Sequence, residues 1–189
     1  MVYLFVFLGN ILFDEVIFVK VFVGEGSMIS SNETFINAAR YIGKYLGENH
    51  ITYIQGNCIK GMMGETYNEY IKHSNDVIMY GMVGDETYKE TCELLPTFND
   101  RTMKLIETCD VAIFLPGGDC TIQEIATFNQ YNREHPNSHK LIVVNIDGFY
   151  DNLIELYKRI FADELNTSRG FKDSFVIVDS IEEAVKYIK

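Results

Sequence analysis

The sequence is short of positive charge. Lys and Arg number 16 against 27 Asp and Glu, which leaves a net charge of −11. No basic patch is available to displace counterions, so no nucleic-acid partner is expected. A small anionic ligand stays open, because a helix terminus acts locally while a distant net charge is screened. Cysteine is sparse and scattered: Cys58, Cys92, Cys109 and Cys120 form no C-x-x-C pair and have no His at ligand spacing. Free thiols in a reducing cytoplasm are the expectation. The histidines, His50, His73, His135 and His139, fall near helix ends or in a loop and read as surface residues. Neither metal-ligand spacing nor a Ser-His-Asp order is evident, so metal-dependent and acyl-transfer mechanisms have little support and no cofactor is expected. The apolar start, Met1 to Phe13, lacks the positive region of a signal peptide and is too short to span a bilayer. No membrane partner follows from it.

What is present suits one domain of residues 1–189, with 1–16 as an N-terminal extension. Apolar residues make up 47% and charged residues 23%, the balance of a globular chain able to bury a core. Gly9-Asn10 lies between two apolar runs and signals a turn, so Val2-Leu8 reads as an added strand or hairpin arm covering a sheet edge or an oligomer contact. From Ile17 to Val23 a first strand of the main body leads into Gly24-Glu25-Gly26-Ser27. Cap-type residues Ser30 to Asn32 then open a helix with Phe35, Ala38, Ala39, Ile42, Tyr45 and Leu46 on one face.

The same alternation repeats along the chain. Ile51-Gln55 is a strand running into Gly56-Asn57 and the helix that opens at Gly61-Met62-Met63-Gly64. Val77-Val83 is a third strand, and Gly84 to Phe98 reads as a long polar loop. A helix from Asn99 to Cys109 carries Arg101. Val111-Leu115 is a central strand, Leu141-Asn145 a fifth and Phe175-Val178 the last, with Ser180 and Glu183 spaced as a capping box. Near-continuous apolar strands alternating with helices give an α/β, Rossmann-like three-layer sandwich with a mostly parallel central sheet. In such folds ligands bind at the carboxyl ends of the strands, where the turns at Gly24, Gly56 and Gly117 fall.

The stretch Leu115-Pro116-Gly117-Gly118-Asp119-Cys120-Thr121-Ile122-Gln123-Glu124 organises these turns. Strand, glycine turn, helix is a phosphate-binding geometry, because free N–H groups and the positive end of the helix dipole favour an anion. Gly117, Gly118, Cys120 and Thr121 are its candidate phosphate residues. Glu124, about one turn later, is the candidate catalytic carboxylate, although a first-turn glutamate also simply complements the helix dipole. Arg101 is the second candidate: solvated on most such helices, it grips a phosphate or departing charge if it points over the cleft. Gly24, Ser27, Gly56, Asn57, Met63 and Asp119 are expected to complete the substrate pocket, with Met62 and Met63 reading first as core.

These residues resemble the Lonely Guy family, the cytokinin riboside 5′-monophosphate phosphoribohydrolases long labelled possible lysine decarboxylases. The opening stretch is similar to the family's P-G-G-x-G-T-x-x-E motif. Gly61-Met62-Met63-Gly64 stands where the family has G-L-M-G, Thr127-Phe128 is similar to a usual Thr-Trp, and Ile146-Asp147-Gly148-Phe149-Tyr150-Asp151 resembles V-D-G-Y-Y-D. The resemblance runs from about Val19 to the C-terminus. It implies hydrolysis of the N-glycosidic bond of a nucleoside 5′-monophosphate, of the AMP or cytokinin riboside type. It assigns catalysis to Arg101 and Glu124 and implies a homodimer.

The chain departs from the family pattern at several places. Cys120 replaces a glycine, which strains the loop if that position requires φ above zero. Asp119 brings a negative charge to the phosphate loop, and Arg101-Thr102 stands for an Arg-Lys pair. A G-G-G turn is reduced to Gly56-Asn57-Cys58. A nucleoside 2-deoxyribosyltransferase-like enzyme, which needs no 5′-phosphate, and a non-catalytic nucleotide-binding sensor are the alternatives these departures sustain.

Overall fold

Alternation of buried strands and amphipathic helices is what the chain adopts. The computed structural model describes residues 2–8, 11–17, 19–84, 92–165 and 174–188. Two strands, β1 (Val2–Leu8) and β2 (Ile11–Ile17), pair antiparallel as a sheet of their own, so the expected arm is a hairpin. The turn expected at Gly9-Asn10 lies outside the described residues. The first strand of the main body is β3 (Lys20–Gly24); Ile17 belongs to the hairpin instead. After it come α1 (Glu33–Glu48), β4 (Thr52–Gln55), α2 (Gly61–Tyr70), β5 (Val77–Met82) and β6 (Glu93–Leu95). The second half holds α3 (Phe98–Thr108), β7 (Val111–Phe114), α4 (Asp119–Glu134), β8 (Lys140–Val144), α5 (Asp151–Ala162), β9 (Val176–Val178) and α6 (Ile181–Ala184).

The main sheet has seven strands in the order β6-β5-β4-β3-β7-β8-β9, all parallel. The direction of strand addition reverses between β3 and β7, which opens a crevice at their carboxyl ends. Strand alternation divides the core. Val21, Val23 and Tyr53 pack under α1 and α2, while Phe22, Ile54 and Phe114 face the side of α3 and α4. Both faces are thus covered, as a parallel sheet requires.

Two expectations change here. β6 lies inside the stretch expected to be loop; it is short and largely exposed, so no apolar run announces it. Glu183 does not close a reciprocal capping box: Ser180 accepts from the Glu183 N–H, but the Glu183 carboxylate reaches the N–H of Asp179. Among the described residues no helix is long and apolar enough to cross a membrane.

Candidate active site

The crevice holds a cavity of about 690 Å³, within the range that accommodates a small ligand. Gly24, Ser27, Gly56, Asn57, Met63, Arg101, Gly118, Asp119, Cys120, Thr121 and Glu124 all line it. Gly117 does not. Its Cα packs against Thr121, and any Cβ there would collide with that side chain, so this glycine allows the turn to close on the helix. The cavity also takes in Glu25, Met28, Cys58, Lys60, Met82 and Phe98, none of them singled out from the sequence.

Arg101 is placed by the start of α3. Thr97 caps that helix by accepting from the Asp100 N–H, and the Arg101 N–H bonds to the Thr97 carbonyl. The side chain then lies inward over the Phe98 ring, its central carbon 4.3 Å from the ring centroid. Arg101 Nη1 donates to the Gly56 carbonyl at 3.3 Å and Nη2 to Glu124 Oε1 at 3.0 Å. Arg101 and Glu124 are 8% and 5% exposed, so this is a buried ion pair. Burial lifts the Glu124 carboxyl to about 7, and the Arg101 guanidinium opposes that rise.

Glu124 comes from the first turn and a half of α4, whose N-cap is Gly118. Asp119, Cys120 and Thr121 are its first residues, and the backbone N–H groups of a first helical turn point out of the helix end. Cys120 has no positive φ; it sits in the helix like any L-residue, and the strain expected there is absent. Asp119 is exposed at the mouth, where it complements the dipole and competes with an incoming anion. Thr102 is fully buried, donates to the Phe98 carbonyl and does not line the cavity, so its difference from lysine touches packing.

The neighbouring turns hold this arrangement. Asn57 takes φ +63°, a left-handed conformation that asparagine tolerates, which accounts for a turn with fewer glycines. Gly61, at φ +61°, starts α2 against the β3–α1 loop, and the N–H groups of Met62 and Met63 bond to the carbonyls of Met28 and Gly26. Met62 is core, whereas Met63 is buried and also faces the cavity. Tyr150 braces the turn after β7: its hydroxyl donates to the Leu115 carbonyl at 2.6 Å, and its N–H bonds to Asn145 Oδ1. The Ile146–Asp151 stretch therefore fixes the turn after β7 from the adjacent strand.

The histidines do not meet the surface expectation uniformly. His50, His73 and His135 are exposed, but His139 is half-buried, with Nε2 2.7 Å from the Ile106 carbonyl, and burial holds its pKa below the usual value. Its burial depends on a contact with the distant α3, which no local pattern reveals. Phe98, three residues before Arg101, is where the sequence did carry a signal, since i and i+3 share a helix face.

A helix N-terminus, glycine-bearing turns and a buried arginine–glutamate pair gathered around a cavity at the switch point of a parallel sheet define a Rossmann-like α/β protein with a candidate ligand site. Residues 52–188 match the family described as "Possible lysine decarboxylase", and the chain belongs to that family. It is 26% identical over 169 residues to a probable cytokinin riboside 5′-monophosphate phosphoribohydrolase of Oryza sativa subsp. japonica, spanning 84% of this chain and 71% of the relative. A second protein of that description from the same organism is 25% identical over 152 residues, 77% of this chain and 67% of the relative. Among solved structures, the molybdenum cofactor binding protein of Rippkaea orientalis superposes with a TM-score of 0.65 at 16% identity, covering 90% of this chain and 94% of that one. That likeness speaks for the fold alone.

Proposed function

We propose that the protein hydrolyses the N-glycosidic bond of a nucleoside 5′-monophosphate, of the AMP or cytokinin riboside monophosphate type, releasing free base and ribose 5-phosphate. The buried Arg101–Glu124 pair beside the N-terminus of α4 carries this reading. The helix end takes the phosphate, through the N–H groups of Asp119, Cys120 and Thr121. The ribose is then held over Glu124, whose carboxylate faces the sugar as positive charge grows at C1′. Arg101 orients that carboxylate and opposes the neutralising effect of burial, so that a substantial share is ionised near neutral pH. Phosphate binding energy fixes the ribose for attack by water. The names of the relatives support the same reaction.

The remaining assignments follow from this reading. The substrate is a small nucleotide, the protein works in the cytoplasm, and it acts as a homodimer. None of the twelve residues of α5 is fully buried, and Leu156 is 54% exposed, which favours a second copy against that helix. Light scattering on the eluted protein tests the dimer. A panel of nucleosides and their 5′-monophosphates, with and without an acceptor base, tests the reaction. Free base with ribose 5-phosphate is expected. Base exchange would instead identify a deoxyribosyltransferase-like enzyme, and binding without turnover a sensor.

A further inference from the structure

Lys60 stands immediately before α2 as the N-cap of that helix, and its side chain makes no capping bond. A cation at the positive end of a helix dipole is disfavoured, and lysine is not a favoured N-cap. The first turn of α2 holds no acid to offset it. Glu65, the first carboxylate along the helix, is taken by Arg40 at 2.7 Å. Lys60 is exposed, and among the described residues no carboxylate pairs with it. A charge placed against the local rule marks a site more often than a need of the fold.

The cavity gives this charge a setting. Among the described residues Lys60 and Arg101 are the cations of its lining. Arg101 is already engaged, donating to Glu124 and to the Gly56 carbonyl. Lys60 is the cation left over. An anion arriving at the start of α4 meets the Asp119 carboxylate, and a net charge of −11 adds no attraction. At α2 the N–H groups of Met62 and Met63 are spent on the carbonyls of Met28 and Gly26, so this helix offers the cavity its lysine and not its backbone. The two helix starts are close neighbours. A Cβ at Gly61 would collide with the Ser27 carbonyl, and one at Gly26 would lie 3.9 Å from the Gly117 Cα. Only the 26–27 turn therefore stands between Lys60, with its flexible four-carbon stem, and the turn that opens α4.

We propose that Lys60 binds the substrate's phosphate together with the N–H groups of α4 and offsets the Asp119 carboxylate, an assignment that rests on the nucleoside monophosphate reading above. A phosphate monoester carries about −1.5 to −2 charges at neutral pH and takes an ammonium as a point-charge partner. The same ammonium does nothing for a nucleoside without phosphate, so Lys60 makes the cavity selective for phosphorylated ligands. It acts on the phosphate and not on the C1′–N bond, which makes it a positioning residue.

Calorimetric titration of wild type, Lys60→Met, which keeps the stem and removes the charge, and Lys60→Arg, which keeps the charge, tests this. The probes are adenosine 5′-monophosphate, ribose 5-phosphate and adenosine. Lys60→Met should weaken both phosphorylated probes by a similar factor, about tenfold, and leave adenosine within about twofold. Lys60→Arg should retain most of the affinity, and added salt should weaken wild type more steeply than Lys60→Met. Lys44→Met removes an exposed charge that lies outside the cavity lining, and binding should stay within about twofold. Melting temperature checks that each variant folds. Equal losses on all three probes, a loss confined to the nucleotide, or no loss would overturn the assignment. A wild type that binds the phosphorylated probes through Lys60 and never releases base overturns the hydrolase reading and leaves this phosphate site standing. A wild type that binds neither phosphorylated probe overturns both.

Discussion

Arg101 and Glu124 meet through a single hydrogen-bonded contact of 3.0 Å, and the two side chains reach it from the helices that precede and follow the central strand β7 and cover the same face of the sheet. Neither charge has much water to fall back on, so each depends on the other.

Removing one partner should therefore be worse than removing both. Arg101→Ala removes the cation that opposes burial of Glu124, so the loss of stability should be modest near neutral pH, where the carboxyl takes up a proton, and should grow at alkaline pH toward about 3 kcal/mol. The double replacement Arg101→Met with Glu124→Leu should regain most of that stability and still release no base. Urea denaturation together with a base-release assay checks it; a double variant as unstable as the single one would show that the pair stabilises the fold.

Cys120→Gly should leave nucleotide affinity unchanged, because position 120 has ordinary helical backbone. Stability should fall by up to about 1 kcal/mol, the cost of glycine within a helix. Calorimetric titration and thermal melting decide it, and a tenfold gain in affinity would mean that the side chain obstructs the anion site.

The same thiol is exposed at the cavity mouth, whereas Cys109 is buried and its pKa is pushed up by desolvation. Iodoacetamide is expected to label Cys120 well before Cys109, and ligand should slow the labelling of Cys120. Mass spectrometry of the digested protein reads both rates.

Stability should decline between about pH 5 and 8. Burial raises Glu124 to about 7 and Glu25 to about 8, above the 4.5 of a free carboxyl. The folded state then binds more protons than the unfolded state in this window. The contribution is complete below 4.5 and is lost as pH rises through the folded values, at most roughly 1.4 kcal/mol per pH unit per group. Melting temperatures across the range test this, and Glu25→Gln should flatten the upper part of the curve.

His139→Ala should destabilise by about 1–2 kcal/mol, since the buried Ile106 carbonyl loses the imidazole and keeps only the weak contact from the Cys109 thiol. His73→Ala, at an exposed residue whose side chain makes no such bond in the described residues, should stay within about 0.5 kcal/mol. Chemical denaturation separates the two.

Much of this architecture could be read directly from the chain. Runs such as Val111–Phe114 and Leu141–Val144 are apolar because both sheet faces are covered, and the glycine turns fall at their carboxyl ends. Arg101 and Glu124 each carry a helical position that a periodic reading locates. What escaped depends on three-dimensional context. Glu25, between two glycines, looks like a solvated turn residue, and only the packing of α2 over it creates its isolation. The short β6 is largely exposed and has no apolar run to betray it. Cys120 looks strained when compared with a glycine motif, yet backbone angles belong to the helix start and not to the letter at that position.

The carbonyls of Gly26 and Met28, which receive the first N–H groups of α2, tie the cavity wall to that helix. Any ligand bulky enough to displace the 26–28 segment would break these bonds and uncap the first turn of α2, so the cavity wall and that helical turn share one stability.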